Sequence, residues 1–392
     1  MKKKKVLIIT TGLYKSTGYA TVARNIYKLI KDKFEVGFLY TVADEYPQKD
    51  LTTFIIPKPK DAYKVFAHAL QKFKPDVVIT IGDVWRLEFV YQVKQNYSFK
   101  WLGYVAVEGK CFPKKLRTET GTYIDIPKIM SYIDTIVAYS EFGQNELITA
   151  GYDVENFIYH GVDTEIFKPV YQDGLKLKKE YFNVDGNPFL YFCVADNQPR
   201  KRLDLLLKAW AELKKRNNNN DILFLLTQPD KFNGFNLLEL LKRYNIGDSV
   251  FLHPEYIHAR GLSQSYLVNM YNLSNAFVLC SVAEGFGLPY LEALACGVPV
   301  VYTDYATPKE ILKDIGYPVK PESYAPMYDL LFEKAELNVM DIVEQLEKVK
   351  DFRDNAKLVS YAKKFDWKNF KGAWINAINK TIAKPSKIGV IV

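Results

Sequence analysis

Two glutamates, Glu284 and Glu292, stand eight residues apart across the run Glu284-Gly-Phe-Gly-Leu-Pro289 and the start of an apolar helical pattern. Gly285 and Gly287 let the main chain come close to a ligand, with loop N–H groups facing it at the positive end of the following helix. Phe286 and Leu288 share that loop, and Pro289 suits a first helical turn, where a missing N–H costs nothing and φ is already set. By the pitch of an α-helix, Glu292 lies about two turns from the loop along the same wall. The arrangement offers N–H donors to phosphate and two separated acceptors to sugar hydroxyls. That is what holding a nucleotide-sugar requires.

A second constellation, Val194-Ala-Asp-Asn-Gln-Pro-Arg-Lys-Arg-Leu-Asp204, falls between an apolar strand pattern and a helical one. Arg200 can make a bidentate contact to phosphate oxygens, and Lys201 supplies a compact point charge. Two cations there would neutralise a diphosphate as its bond to a sugar breaks. Near the N-terminus, Gly12 and Gly18 frame a strand-to-helix loop that could cover the phosphates from the opposite side. Its spacing is neither that of a dinucleotide-binding glycine motif nor that of a P-loop. Glu108, after the strand pattern ending at Val107, could orient an acceptor or help accept its proton. Asp83 and Trp85 follow another such pattern, the Trp ring being suited either to stacking on a sugar or to packing on the core.

These residues need a scaffold, and apolar runs of strand length alternate with helical periodicity throughout the chain. That rhythm predicts α/β architecture with parallel sheets. Strands are expected at Val6–Thr11, Phe34–Leu39, Val77–Ile81, Trp101–Val107, Thr135–Tyr139 and Phe157–Tyr159. The second half restarts with Phe189–Ala195 and continues with Ile222–Thr227, Val250–Leu252, Ala276–Cys280 and Val298–Tyr302. Helices are expected near Tyr19, over Ala62–Phe73 and Phe142–Ala150, and from Leu203 through Lys215. Pro169–Pro188 breaks the rhythm with lysines, Asp173-Gly174 and Asp185-Gly186, and reads as an interdomain linker. The expected division is therefore a domain over 1–170, a linker over 171–187, a second domain over 188–364 and a terminal helical segment over 365–392. Two doubly wound domains facing each other would bind ligand at the carboxyl ends of their strands.

Composition bounds the class. The 392 residues suffice for two domains of ordinary size, and 48% hydrophobic with 25% charged residues describes a globular protein. A net charge of +8 suits an anionic nucleotide-sugar without choosing among anionic partners. No apolar run reaches bilayer length and no leader follows the Lys2–Lys5 run, so a cytoplasmic protein is expected. Cys111, Cys193, Cys280 and Cys296 show neither close pairing nor metal-ligand spacing to His68, His160, His253 or His258. No Asp-x-Asp motif appears, and no metal or cofactor is expected.

The pattern E-G-F-G-L-P-x-x-E-A-x-A-x-G-x-P-V-V resembles the nucleotide-sugar site of retaining GT-B glycosyltransferases, in particular glycosyltransferase family 4. The resemblance implies that Glu284 contacts the donor sugar and Glu292 the ribose. Lys201 falls at the family's usual lysine, whereas Asp196 stands where the family often has arginine, which leaves Arg200 as the substitute. Gly18-Tyr19 is similar to the S-G-Y-G loop of some members, with Ala20 replacing the last Gly. Ser140-Glu-Phe-Gly143 and His160-Gly-Val-Asp-Thr-Glu-Ile-Phe-Lys-Pro169 resemble two further family segments, His160 replacing the usual Asn.

What the resemblance implies is a GT-B enzyme moving a hexose, with retention, from a UDP- or GDP-sugar to a hydroxyl on a glycan, a lipid-linked sugar or a protein. Glu255 and Tyr256 follow Val250–Leu252, where such enzymes meet the nucleobase, and Tyr256 is a candidate donor contact. The Lys110–Arg117 loop would tolerate a peripheral membrane encounter, and no nucleic-acid partner is expected. A GT-B epimerase or phosphorylase and a catalytically degenerate scaffold are the alternatives. The oligomeric state is left open.

Overall fold

The computed structural model describes residues 2–13, 17–42, 50–117, 121–170, 173–184, 186–216, 220–253, 263–327 and 332–385. Two compact units result: Met1–His160 with Pro326–Phe332 and Trp367–Val392, and Gly161–Ala325 with Glu333–Asp366.

The first unit is built on β1 (Lys5–Thr10), β2 (Glu35–Tyr40), β3 (Thr52–Ile55), β4 (Val77–Gly82) and β5 (Trp101–Val105). A short antiparallel hairpin, β6 (Lys115–Arg117) and β7 (Tyr123–Asp125), precedes β8 (Thr135–Ala138) and β9 (Val154–Phe157). The sheet order is β3-β2-β1-β4-β5-β8-β9, with every pairing parallel. Strands covered on both faces must be apolar throughout, and all six residues of β4 are buried. The helix Gly18–Ile30 turns Ala23, Ile26 and Ile30 inward, and Thr17 caps it by accepting from the Ala20 N–H at 3.2 Å.

The second unit contains β10 (Leu190–Val194), β11 (Ile222–Leu226), β12 (Val250–Leu252), β13 (Ala276–Leu279), β14 (Val300–Thr303) and β15 (Tyr317–Val319). Its order is β12-β11-β10-β13-β14-β15, again all parallel. In both sheets the order reverses once, at β1/β4 and at β10/β13. In doubly wound sheets, loops leaving the carboxyl ends at such a reversal diverge and open a crevice, the usual ligand position.

Three differences from the sequence reading have physical causes. The sixth strand runs over Val154–Phe157 and not Phe157–Tyr159, because Val154 supplies the buried end of the strand. β3 has no fully buried residue, so it carries no apolar run to betray it. The expected linker instead contains a helix, Gly174–Phe182, capped by Asp173, and the division between units falls earlier, at His160/Gly161. Its lysines form a solvated face apart from Lys178, whose ammonium is buried on Pro188 O at 2.7 Å and Asn275 Oδ1 at 2.9 Å. The C-terminal helix Lys371–Ala383 packs in the first unit, with the buried Trp374 ring 4.8 Å from that of Tyr104. Lys380 and Lys384 there pair with Glu155. Among the described residues, no helix is long and apolar enough to cross a membrane.

One ion pair of the first unit is wholly buried. Lys94 donates to Asp134, whose Oδ2 also accepts from the Trp101 N–H at 2.7 Å, and Lys94 donates to Phe99 O at 2.8 Å. Removing one partner strands the other charge away from water. Lys94→Met is expected to destabilise the first unit by about 3–5 kcal/mol. Urea unfolding followed by tryptophan fluorescence checks this, and a loss under about 1 kcal/mol would show that the remaining donors suffice for Asp134.

Candidate active site at the sheet switch points

At the second unit's reversal, β10 runs into Ala195–Arg202 and β13 into Cys280–Gly287. The two loops are stitched together by Val282 N–H donating to Arg200 O at 2.8 Å and by Ser281 Oγ donating to the same Arg200 O at 3.3 Å. Arg200 and Lys201 occupy a single 3-10 turn started by Pro199, and Arg202 ends it in the left-handed region at φ +49°. The turn directs both cations onto Glu284. Arg200 Nη1 lies 3.3 Å from Glu284 Oε2 and donates to Ala283 O at 2.8 Å, while Lys201 Nζ donates to the same Oε2. Burial pushes the Glu284 carboxyl up, but Lys201 and Arg200 outweigh it and hold its pKa below the usual value.

Gly287 is the one position of this motif where glycine is demanded twice. Its φ is +93°, and a Cβ there would meet the Tyr290 ring at 2.5 Å. The turn launches the helix Leu288–Ala295, with Pro289 in its first turn and Phe286 buried. Gly285 is tied down through its carbonyl, which accepts from Thr307 Oγ1 at 3.1 Å. Glu292 projects from this helix and accepts from the Tyr271 hydroxyl at 2.9 Å. With burial dominating and only Tyr271 opposing it, the Glu292 pKa is raised to about 7.

The first unit's reversal gathers a different set. Tyr19 O–H donates to Asp83 Oδ1 at 2.8 Å, and Arg86 Nε lies 3.4 Å from Asp83 Oδ2. Burial raises the Tyr19 phenol well above its ordinary value, and Asp83, Tyr139 and Glu108 add to the rise. Those four residues therefore share one neighbourhood. Gly82, at φ +135°, brings the chain past the Tyr19 ring, 3.5 Å from where a Cβ would stand. Gly18 opens the helix with nothing within 4 Å of its missing Cβ. Trp85 is half-buried and packs against the apolar core.

The candidate residues thus fall into two groups. Arg200, Lys201, Glu284, Gly285, Phe286, Gly287, Leu288 and Glu292 share the second unit's loops and helix. Gly18, Asp83, Trp85 and Glu108 belong to the first unit. Tyr256 and its neighbour Glu255 lie outside the described residues. Tyr271, Gln198 and Lys231 were not singled out, and no spacing in the sequence points to them. Tyr271 comes from another helix and Lys231 from another loop, and both reach the site only through the fold, whereas Gln198 stands two residues before Arg200 in the same loop.

Residues 176–364 match the family "Glycosyl transferases group 1". Among curated relatives, a D-inositol 3-phosphate glycosyltransferase of Gordonia bronchialis is 27% identical over 186 residues, 45% of this chain and 39% of that protein. The chain spans between 38% and 51% of the length of the first four curated relatives it matches. Among solved structures, sucrose-phosphate synthase from Thermosynechococcus elongatus superposes with TM-score 0.69 at 16% identity, covering 96% of this chain and 97% of that one. Anabaena Alr3699/HepE in complex with UDP and glucose gives TM-score 0.70 at 15% identity, covering 96% and 100%. The chain has the GT-B fold.

The raised pKa of Glu292 has a sign that can be checked. A carboxyl that binds its proton more tightly when folded contributes stability present below its unfolded pKa, near 4.5, and lost as pH rises through about 7. Glu292→Gln lacks this titration. The wild-type melting temperature, relative to that of the variant, is expected to fall between pH 5 and pH 8. A difference flat over that range would show that Glu292 titrates as an ordinary exposed acid.

Proposed function

We propose that this chain is a retaining glycosyltransferase that moves a hexose from a nucleoside-diphosphate sugar, with UDP or GDP as the nucleotide, to an acceptor hydroxyl. The observation that carries the reading is the convergence of Arg200 and Lys201 on Glu284 at the β10/β13 reversal. A diphosphate arriving at this turn competes with Glu284 for both cations. As it binds, the Glu284 oxygen is released to accept from a sugar hydroxyl, so the two ends of the donor are recognised by one exchange of partners. The structural likeness to a protein in complex with UDP and glucose supports the same ligand class for this chain.

In the proposed reaction the acceptor hydroxyl attacks the anomeric carbon on the face the diphosphate leaves. The new C–O bond forms as the C–O bond to phosphate breaks, and a departing phosphate oxygen takes the acceptor's proton. Negative charge grows on the leaving group, and Arg200 and Lys201 lie where it grows, which is how fixed charges lower such a barrier. Glu292, hydrogen-bonded to Tyr271, is the ribose contact. The reading needs no metal, since the two cations supply the charge. Glu108 and Asp83 are proposed on the acceptor side, for a glycan, lipid-linked or protein hydroxyl, and Tyr256 toward the base. A cytoplasmic location, with contact to a membrane face only at its periphery, completes the proposal.

A thermal-shift panel of UDP-, GDP- and ADP-sugars identifies the donor, because a ligand that binds only the folded state raises its stability. With that donor, Glu284→Gln is expected to lower kcat by roughly 10–100-fold, the size of a lost contact to a charged group. Glu292→Gln is expected to raise KM by roughly 5–20-fold and to spare kcat, because ribose hydroxyls change little during reaction. Donor hydrolysis without acceptor separates an enzyme from a binding scaffold. Equal, minor effects in two well-folded variants would remove the assignment of the two glutamates.

A further inference from the structure

The Arg200–Glu284–Lys201 cluster does not end at Arg200. Arg200 Nε donates to Gln198 Oε1 at 3.2 Å. The other end of that amide, Gln198 Nε2, donates to Asp196 Oδ2 at 2.7 Å. Asp196 in turn holds Lys231, whose Nζ lies 2.7 Å from each carboxylate oxygen. The result is a continuous chain of alternating partners, Lys231–Asp196–Gln198–Arg200–Glu284–Lys201, only part of which the sequence motifs mark.

Lys231 is not a chance contact from a wandering side chain. Its loop, between β11 and the helix Leu237–Tyr244, is stapled to the phosphate turn by Asn197, which is wholly buried. Asn197 Nδ2 donates to Gln228 O at 3.0 Å and Phe235 O at 2.7 Å, and its Oδ1 accepts from the Phe235 N–H at 3.0 Å. Gly234 permits the approach, since a Cβ there would stand 2.4 Å from Asn197 O. The backbone on both sides of the Lys231–Asp196 pair is therefore fixed before the side chains meet.

We propose that Lys231, Asp196 and Gln198 are positioning residues that aim the Arg200 guanidinium at the donor diphosphate. This rests on the nucleotide-sugar reading of the site and adds to it three residues outside the glutamate motif. A guanidinium on a long stem binds phosphate best when its plane is set in advance, since less freedom is then lost on contact. Gln198 sets that plane by accepting from Nε, which leaves Nη1 and Nη2 for other partners. Asp196 fixes the amide, because a flipped Gln198 would present its oxygen to the carboxylate. Lys231 neutralises Asp196. Without it, an unpaired carboxylate next to the phosphate turn would compete with phosphate for Arg200 and repel the ligand.

Inorganic pyrophosphate, titrated calorimetrically into the full chain, tests the relay without a choice of base or sugar. Lys231→Met is expected to weaken binding by roughly 10-fold, and Asp196→Asn combined with Lys231→Met to recover to within about 3-fold of wild type, since the charge that misdirects Arg200 is gone. Gln198→Ala is expected to cost roughly 3–10-fold in wild type and under about 2-fold in an Arg200→Ala background, as coupling through Arg200 requires. Melting temperatures confirm that each variant is folded. A double variant as weak as Lys231→Met would overturn the relay, making Lys231 a direct phosphate contact. A Gln198→Ala effect that is absent, or equal in both backgrounds, would overturn it too. Lys201→Ala serves as the separate control: unchanged pyrophosphate affinity there would defeat the donor-site reading itself, whatever the relay variants show.

Discussion

A carboxylate removed from water must be compensated, and Glu284 is compensated by two cations delivered from a different strand. That constraint organises the second unit. The reversal of strand order at β10/β13 makes the Pro199–Arg202 turn and the glycine loop neighbours, though more than eighty residues separate Arg200 from Glu284 in sequence. Every feature nearby serves this meeting: the left-handed Arg202 ends the turn, Val282 donates to Arg200 O, and Gly287 folds its loop tightly over Tyr290. If either cation were lost, burial would push the Glu284 proton affinity back up and the site would have one acceptor fewer.

The two ends of the glutamate motif have opposite electrostatics, which the sequence could not show. Glu284 and Glu292 lie eight residues apart and carry the same side chain, yet one is held charged by Lys201 and Arg200 while the other, facing only the Tyr271 hydroxyl, keeps its proton to about pH 7. Spacing along one loop and helix fixes where each carboxyl stands. It does not reveal what the remaining elements bring opposite it. Tyr271 arrives from a helix whose sequence reads as amphipathic packing, and only the fold turns its hydroxyl toward Glu292.

Legibility followed the same division throughout. Strands buried on both faces, such as β4 and β10, announce themselves as apolar runs, and the glycine loop with Pro289 announces a helix start. Partly exposed or polar elements do not: β3 lacks a fully buried residue, and the helix Gly174–Phe182 hides behind three lysines and Glu180 that resemble a linker. Two departures from the resembled family also became intelligible. His160 is buried among the rings of Tyr104, Tyr139 and Trp367, and burial lowers its pKa to about 3, so it packs as one more neutral ring. Asp196, whose charge seemed wrong beside a phosphate turn, is matched by Lys231 and tied to Arg200 through Gln198.

The first unit carries the same topology with the opposite charge. Its reversal at β1/β4 brings Asp83 and Glu108 near the Tyr19 phenol, and both carboxylates raise the pKa of that phenol after burial has done so. Carboxylates accept from hydroxyls and repel phosphate, whereas the Arg200–Lys201 turn attracts phosphate. Within one fold, the crevice of each unit is therefore chemically committed before any ligand arrives. The proposed function assigns the leaving diphosphate to the basic one and the hydroxyl-bearing acceptor to the acidic one. Doubly wound units supply the crevices for free; the choice of ligand is written in the few side chains at the ends of two strands.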